Sequence, residues 1–401
     1  MKKTFFTILL GTILLMNSCT VNSPSPQGVD VTLDAEFSKR TTSFAFDFLK
    51  ELEKEEVDET FFVSPLSLHM ALGMLLNGAD TQSKEELIKT LNLEGLDMDL
   101  INSSYLELVD KLPNVDPLVT NELANSLWQR NGFDVEDDFK AVLKEYFKAE
   151  LYEENFDQGT LTKINQWASD NTNAKITKVL EEISADQVLF LMNALYFKGD
   201  WANQFDKDKT FEDSFNGKSG LVKVDMMANL DTFAYADMGS FKAVDLPYGN
   251  QKYGMRVLLP KENDVSALLN SLDEDVWKGI DEKMYVQKLD LKLPKFKMEY
   301  EIKLNDILKN MGMPSLFSNA ADLSKITAPA GKIRVGFVKQ NSFVAVDEEG
   351  TEAAAVTTIG IELTSVPSYP SFYVNKPFLF FIYEKGSGTI QFAGKILDIE
   401  K

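Results

Sequence analysis

One cysteine, Cys19, and one histidine, His69, are all that 401 residues contain of either type. A single cysteine builds no internal disulfide and no thiolate metal site. A chain of this length has core enough to fold without them. A single histidine excludes His-rich zinc centres, and any Ser-His-Asp triad would have to use His69. That residue lies in the strongly apolar stretch "SLHMALGMLL", so a packed histidine is the expectation. No phosphate-cradling glycine loop or dinucleotide fingerprint follows a predicted strand, and no cofactor is expected. Positive charge is also short: 41 Lys and Arg against 62 Asp and Glu give a net −21 and a pI near 4.6. Such a field repels phosphate polymers, so nucleic acid is not expected as a partner. With so many acids, close carboxylate pairs carry no catalytic signal. They are dispersed, as in "ELEKEEVDET", and read as a solvated surface.

The N-terminus, "MKKTFFTILLGTILLMNSC", has Lys2 and Lys3, then an apolar run from Phe5 to Met16, then Asn17, Ser18 and Cys19. It reads as an export signal over 1–18, too short for a stable membrane span. Cys19 stands where a bacterial lipoprotein precursor is cut and acylated. "MNSC" resembles that motif but carries Met16 where leucine is commonest and Asn17 where a small residue is. The alternative is an ordinary secretory signal with an incidental cysteine. One lipid chain holds a membrane only marginally, so firm anchoring in the cell envelope needs several. Residues 19–35, including "TVNSPSPQGVDVT", read as a flexible tether.

Residues 36–401 read as one α+β domain. Helical spacing of Phe37, Phe44, Phe48 and Leu52 predicts a helix over 36–53. "FFVSPLSLHMALGMLLNGA" starts as a strand and becomes a helix after Ser64-Pro65. Further amphipathic helices are expected around 83–91, 98–112, 136–149 and 158–171. "DQVLFLMNALYFKGDW" is too continuously apolar for a surface strand and belongs in the middle of a sheet. The second half is strand-rich: 221–260, "VQKLDLKLPKF", "KIRVGFVKQNSFVAV", and a hairpin of "PFLFFIY" and "TIQFAGKIL". A helix, "EIKLNDILKNMG", interrupts it.

One segment is at odds with itself. "DEEGTEAAAVTTIGIELTSVPS" (347–368) is flanked like a loop, yet Thr351, Ala353, Ala355, Thr357, Ile359, Ile361 and Leu363 alternate like one face of a strand. Glu352 and Glu362 fall on the other face. Gly350, just ahead, suits a backbone hinge.

These residues resemble one family, the serpins, from about Phe37 to Ile399. The resemblance is carried by "FFVSPLSLHMALGMLLNGADTQSKEEL", "NALYFKGDWANQFDKDKTFEDSF", "LPKFKMEYEIKLNDILKNMGM", "DEEGTEAAAVTT" and "NKPFLFFIYEKGSGTIQFAGKI", in the family's order. It implies three β-sheets, eight or nine helices and an exposed reactive loop. It also implies suicide inhibition: a protease cuts the loop, forms an acyl-enzyme, and is trapped as the loop inserts into the central sheet. The partners are then target proteases in covalent acyl complexes and the membrane through the N-terminal lipid, and the chain is expected to be a monomer. Carried over residue by residue, Glu348, Gly350, Thr351, Ala353 and Ala355 form the loop hinge. Trp201, Lys295 and Glu348 form the breach where the loop first enters, with Glu348 and Lys295 as an acid–base pair. Ser64, Ser67, Asn193 and Gln340 form the shutter beneath, Gln340 replacing the family's usual histidine. The family's spacing from Glu348 puts the reactive bond between Thr364 and Ser365. The segment before "NKPF" is longer than usual, which leaves Leu363–Thr364 and Val366–Pro367 as alternatives. Thr364 before the bond suits elastase-like or subtilisin-like serine proteases, and Leu363 suits papain-like cysteine proteases. The competing reading is a non-inhibitory carrier or chaperone of the same fold; relatives of that kind carry charged or bulky residues where "GTEAAAVTT" stands, so this composition argues against it.

Overall fold

The computed structural model describes residues 28–327, 333–351 and 369–399. Asp34 caps the first helix, α1 (Ala35–Glu55), by accepting from the N–H groups of Glu36 and Phe37. Phe37, Phe44, Phe48 and Leu52 form its buried stripe. After β1 (Phe61–Val63), the Ser64 hydroxyl caps α2 (Pro65–Gly78), with Pro65 in the first turn. This helix is apolar nearly all round because it runs through the core. The first half continues with α3 (Thr81–Thr90), α4 (Met98–Lys111), β2 (Val119–Arg130), α5 (Asp137–Tyr146), β3 (Glu150–Glu154), α6 (Gln158–Asp170) and β4 (Leu189–Asp200). The second half holds β5 (Phe211–Gly217), β6 (Gly220–Asp237), β7 (Phe241–Tyr248), β8 (Tyr253–Pro260), α7 (Val265–Ser271), α8 (Glu274–Lys283), β9 (Tyr285–Pro294), β10 (Phe296–Lys303) and α9 (Asn305–Asn310). It ends with β11 (Lys339–Val346), β12 (Gly350–Thr351), β13 (Ser371–Tyr373), β14 (Phe378–Glu384) and β15 (Ile390–Ile396).

Two hydrogen-bonded networks result. One runs β1-β15-β14-β8-β7-β6-β9-β13, with β5 also on β6. It merges two of the three expected sheets, because β6 is long enough to serve both. Its first part pairs with β5 and β9, and its last four residues pair with β7. The other is the central sheet, β10-β11-β12-β4-β2-β3. Alternation sorts its two faces. Leu123, Leu127 and Leu195 join the main core with α2, whereas Trp128, Phe190 and Ala194 pack under α6 on the opposite face.

Three sequence expectations shift. The chain is already packed before residue 35: Val31 is buried, and Val29 N–H donates to Asn114 O at 3.0 Å. The helix expected from Glu301 begins only at Asn305, since Glu301, Ile302 and Lys303 pair with Asn341, Gln340 and Lys339. The strand expected from Lys332 begins at Lys339, where β10 runs out as a partner. The residues before it are tied down individually, Val338 N–H donating to Asn305 Oδ1 and Asn305 Nδ2 to Gly336 O, both at 2.9 Å.

Candidate functional site

The central sheet has a strand-sized opening. β12 is two residues long, pairing Gly350 with Asp200, Thr351 with Gly199, and Thr351 with Val346, antiparallel on both sides. Its neighbours β4 and β11 therefore run parallel. Beyond β12 no residue of β4 pairs with β11 among the described residues. The two strands instead border a cavity of about 590 Å³. Ser64, Ser67 and Leu72 of the α2 region line one side, and Trp167 of α6 reaches it from the other. A strand edge without a partner is a template for another strand.

At the top of the opening the backbone of 347–351 is clamped. Trp201 Nε1 donates to Asp347 O at 2.9 Å, Trp201 N–H to Glu349 O at 2.7 Å, and Phe205 N–H to Glu348 O at 2.8 Å. Asp347 folds the turn, its Oδ1 accepting from Glu349 N–H at 2.9 Å. Gly350 is required by close approach: a Cβ there would lie 2.1 Å from Gly199 O. Thr351 is buried and shares a 2.7 Å hydrogen bond with the Tyr248 hydroxyl, whose ring stacks on Trp201 at 4.4 Å. Glu348 is almost wholly buried, 2.9 Å from Lys295 Nζ, and accepts from Thr210 Oγ1 at 2.7 Å. Burial alone would raise its carboxyl, but the bonds from Lys295 and Thr210 outweigh that and hold it below the usual carboxylate range. Glu349, also buried, pairs with Lys207. The hinge acids are thus compensated rather than free.

Lower down, polar side chains bridge the two edges across the opening. Gln340 on β11 and Ser64 exchange reciprocal bonds, Ser64 N–H to Gln340 Oε1 and Gln340 Nε2 to Ser64 O, both at 2.9 Å. Ser64 Oγ donates to Gln391 O at 2.6 Å and accepts from Ser67 N–H at 3.0 Å. Ser67 Oγ donates to Asn193 Oδ1 on β4, and Asn193 Nδ2 donates to Asn125 Oδ1 on β2 at 2.8 Å. β11 and β4 are therefore latched through the start of α2 rather than to each other. Gln340 does not titrate, so the latch carries no protonation step of its own.

The structure thus assembles Trp201, Lys295, Glu348, Gly350 and Thr351 at one end, and Ser64, Ser67, Asn193 and Gln340 at the other. Ala353, Ala355, Thr364, Ser365 and Cys19 lie outside the described residues. Sequence reasoning missed Tyr248, Thr210, the Lys207–Glu349 pair and Asn125. Only Asn125 left a signal: in "NELANSLWQR" it sits, with Asn121, among positions that alternation assigns to the core. His69 offers no catalytic base. It is buried against Phe37 and Phe44, with Nδ1 3.0 Å from the Tyr105 hydroxyl, and burial pushes its pKa down to about 4.

Comparison with known proteins agrees with this geometry. The family model described as "Serpin (serine protease inhibitor)" matches residues 39–399. An uncharacterised serpin-like protein of Thermococcus kodakarensis is 32% identical over 89% of this chain and 84% of its own length. Serpin B4 of Homo sapiens is 32% identical over 89% of this chain and 98% of its own. The crystal structure of the thermophilic serpin tengpin in its native state superposes with a TM-score of 0.85 at 28% identity, covering 93% of this chain and all of that one.

Proposed function

The chain belongs to the serpin family, and from that premise we propose that it is a suicide-substrate inhibitor of extracellular proteases. One observation carries the reading: Gly350 and Thr351 sit between β4 and β11, paired with both, at the point where the reactive segment begins. The chain that continues from them alternates small and apolar residues from Thr351 to Leu363. A protease that cleaves this segment is itself acylated: its nucleophile takes the Thr364 carbonyl, the peptide beginning at Ser365 leaves, and the severed upstream half zips downward from Thr351. Each step supplies partners to edges of β4 and β11 that have none among the described residues. About a dozen new hydrogen bonds at ~1 kcal/mol net each are nearly cancelled by ordering the backbone at 1–2 kcal/mol per residue. The drive must therefore come largely from relieving the incomplete sheet.

The reactive bond we assign is Thr364–Ser365, which favours elastase-like or subtilisin-like serine proteases and admits papain-like cysteine proteases through Leu363. We also propose export, with acylation of Cys19 holding the protein in the cell envelope; a Cys19→Ser variant should lose incorporation of a labelled fatty acid. The central test is incubation with a panel of these proteases, followed by denaturing gels. A covalent adduct of summed mass, release of a peptide beginning at Ser365, and a nicked form that melts above the intact one are expected. Clean cleavage by every protease, without adduct, would sink inhibition and favour the carrier reading.

A further inference from the structure

The bridges that cross the gap below β12 obey one register. Val346 on β11 and Gly199 on β4 face the same residue, Thr351. The two strands run parallel, so residues sharing a rung keep that difference in number, 346 less 199, or 147. Gln340 and Asn193, the two ends of the polar latch, differ by 147. So do Phe337, in the chain leading into β11, and Phe190 of β4, whose ring centroids stand 6.1 Å apart. That is contact distance for a ring pair. The register set at β12 therefore holds down to this aromatic pair, which β12 does not touch.

The pair lies on the face under α6. Phe190 is buried there with Trp128, Ile164 and Trp167, and stacks on Phe156 at 5.2 Å. The Arg130 guanidinium covers the Phe156 ring at 5.0 Å, so the row is anchored at its far end. Phe337 is only partly buried. The polar latch thus bridges the gap on the core face, and the rings bridge it on the other.

Any segment that enters in this register has fixed neighbours. Counting antiparallel from Thr351, residue 357 reaches Asn193 and Gln340, and residue 360 reaches Phe190 and Phe337. Thr351 is buried on the core face, and alternation puts residue 360 on the opposite one, against the rings. The sequence has Gly360 there, the one glycine on a face that otherwise presents Glu352, Ala354, Val356, Thr358 and Glu362. Gly360 itself lies outside the described residues. Glycine weakens a strand and marks a position where another group comes close. Resting on the proposed inhibitory function, we infer that Phe190 and Phe337 are the size-selecting rung of the gap: they admit a segment without a side chain at position 360 and thereby fix its register. A glycine backbone passes in the plane of the sheet while the rings stay in contact above it. A side chain there must part them, against a close-packed contact. A slip of one residue brings Ile359 or Ile361 to the rings, and a slip of two brings Thr358 or Glu362.

The test compares the unmodified protein, Gly360→Val and the double variant Gly360→Val/Phe337→Ala. Each is nicked in the reactive segment, its melting temperature is read before and after, and its inhibition stoichiometry is titrated. Valine otherwise suits a strand better than glycine, so a loss isolates the clash. Gly360→Val should forfeit about half or more of the melting gain on nicking and raise the stoichiometry about threefold or more. Adding Phe337→Ala should restore both, because the space it vacates takes the valine. A full melting gain in Gly360→Val would overturn the size limit while leaving inhibition intact. A defect that persists in the double variant would overturn the aromatic pair as its cause. An unmodified protein whose nicked form melts no higher than the intact one overturns both readings.

Discussion

Replacing Gly350 with alanine isolates the first step of insertion. The added Cβ would lie 2.1 Å from Gly199 O and 2.6 Å from the Asp200 Cα, both backbone atoms of β4. No rotamer relieves such a contact, so β12 must move off β4 by about 1 Å, the shortfall from ordinary van der Waals separation. That shift breaks the Gly350–Asp200 and Thr351–Gly199 pairing and loosens the Trp201 N–H bond to Glu349 O. Losing two or three hydrogen bonds at ~1 kcal/mol each amounts to about 2–3 kcal/mol. If that loss is fully felt when the severed segment begins to zip, insertion slows roughly 30- to 150-fold. Deacylation, which belongs to the protease, is unaffected, so the acyl-enzyme partitions toward release. The assay titrates active protease against inhibitor and resolves adduct from nicked inhibitor on a denaturing gel. Gly279→Ala, in α8, is the control, since its Cβ meets only the Met238 Cε, at 4.0 Å. An unchanged stoichiometry in Gly350→Ala would refute the claim that insertion starts at this contact.

Thr351→Arg buries a cation at a site only 2% exposed, so it should convert the inhibitor into a substrate; gels that still show full adduct would count against inward placement of this residue. Asn193→Ala removes the acceptor of Ser67 and the donor to Asn125, and should lower the unfolding free energy of the intact form by about 2–4 kcal/mol, read as a reduced denaturant midpoint. Glu348, whose carboxyl is held below its ordinary value of 4.5, stabilises the hinge above that pH and loses the contribution as pH falls through its depressed pKa. The intact protein should therefore lose melting temperature below about pH 4.5 more steeply than Glu348→Gln, and parallel curves would remove Glu348 from the account.

Much of this was legible in sequence, for identifiable reasons. The buried stripe of α1 and the Ser64-Pro65 entry to α2 follow local rules of periodicity and capping. The hinge and latch residues were reachable because five motifs stood in one family's order, not because a lone serine or glutamine announces a role. Local patterning failed at 333–338 and 301–303, where partner strands decide the conformation: the same apolar alternation is a strand opposite β10 and an irregular segment beyond it. The Lys207–Glu349 and Tyr248–Thr351 contacts join residues 142 and 103 positions apart. Nothing local distinguishes those side chains from ordinary surface charge or a turn tyrosine.

The gap between β4 and β11 reads backbone and side-chain size; it has no means of identifying which molecule supplies the strand. Only the covalent link from Thr351 gives a chain's own segment its advantage, as a high local concentration. Crowding or a weakened latch erodes that advantage, and a neighbouring copy then donates its segment instead. Donor and acceptor surfaces differ, so each copy joined in this way would still offer one of each, and any association built on the proposed insertion would be open and head-to-tail.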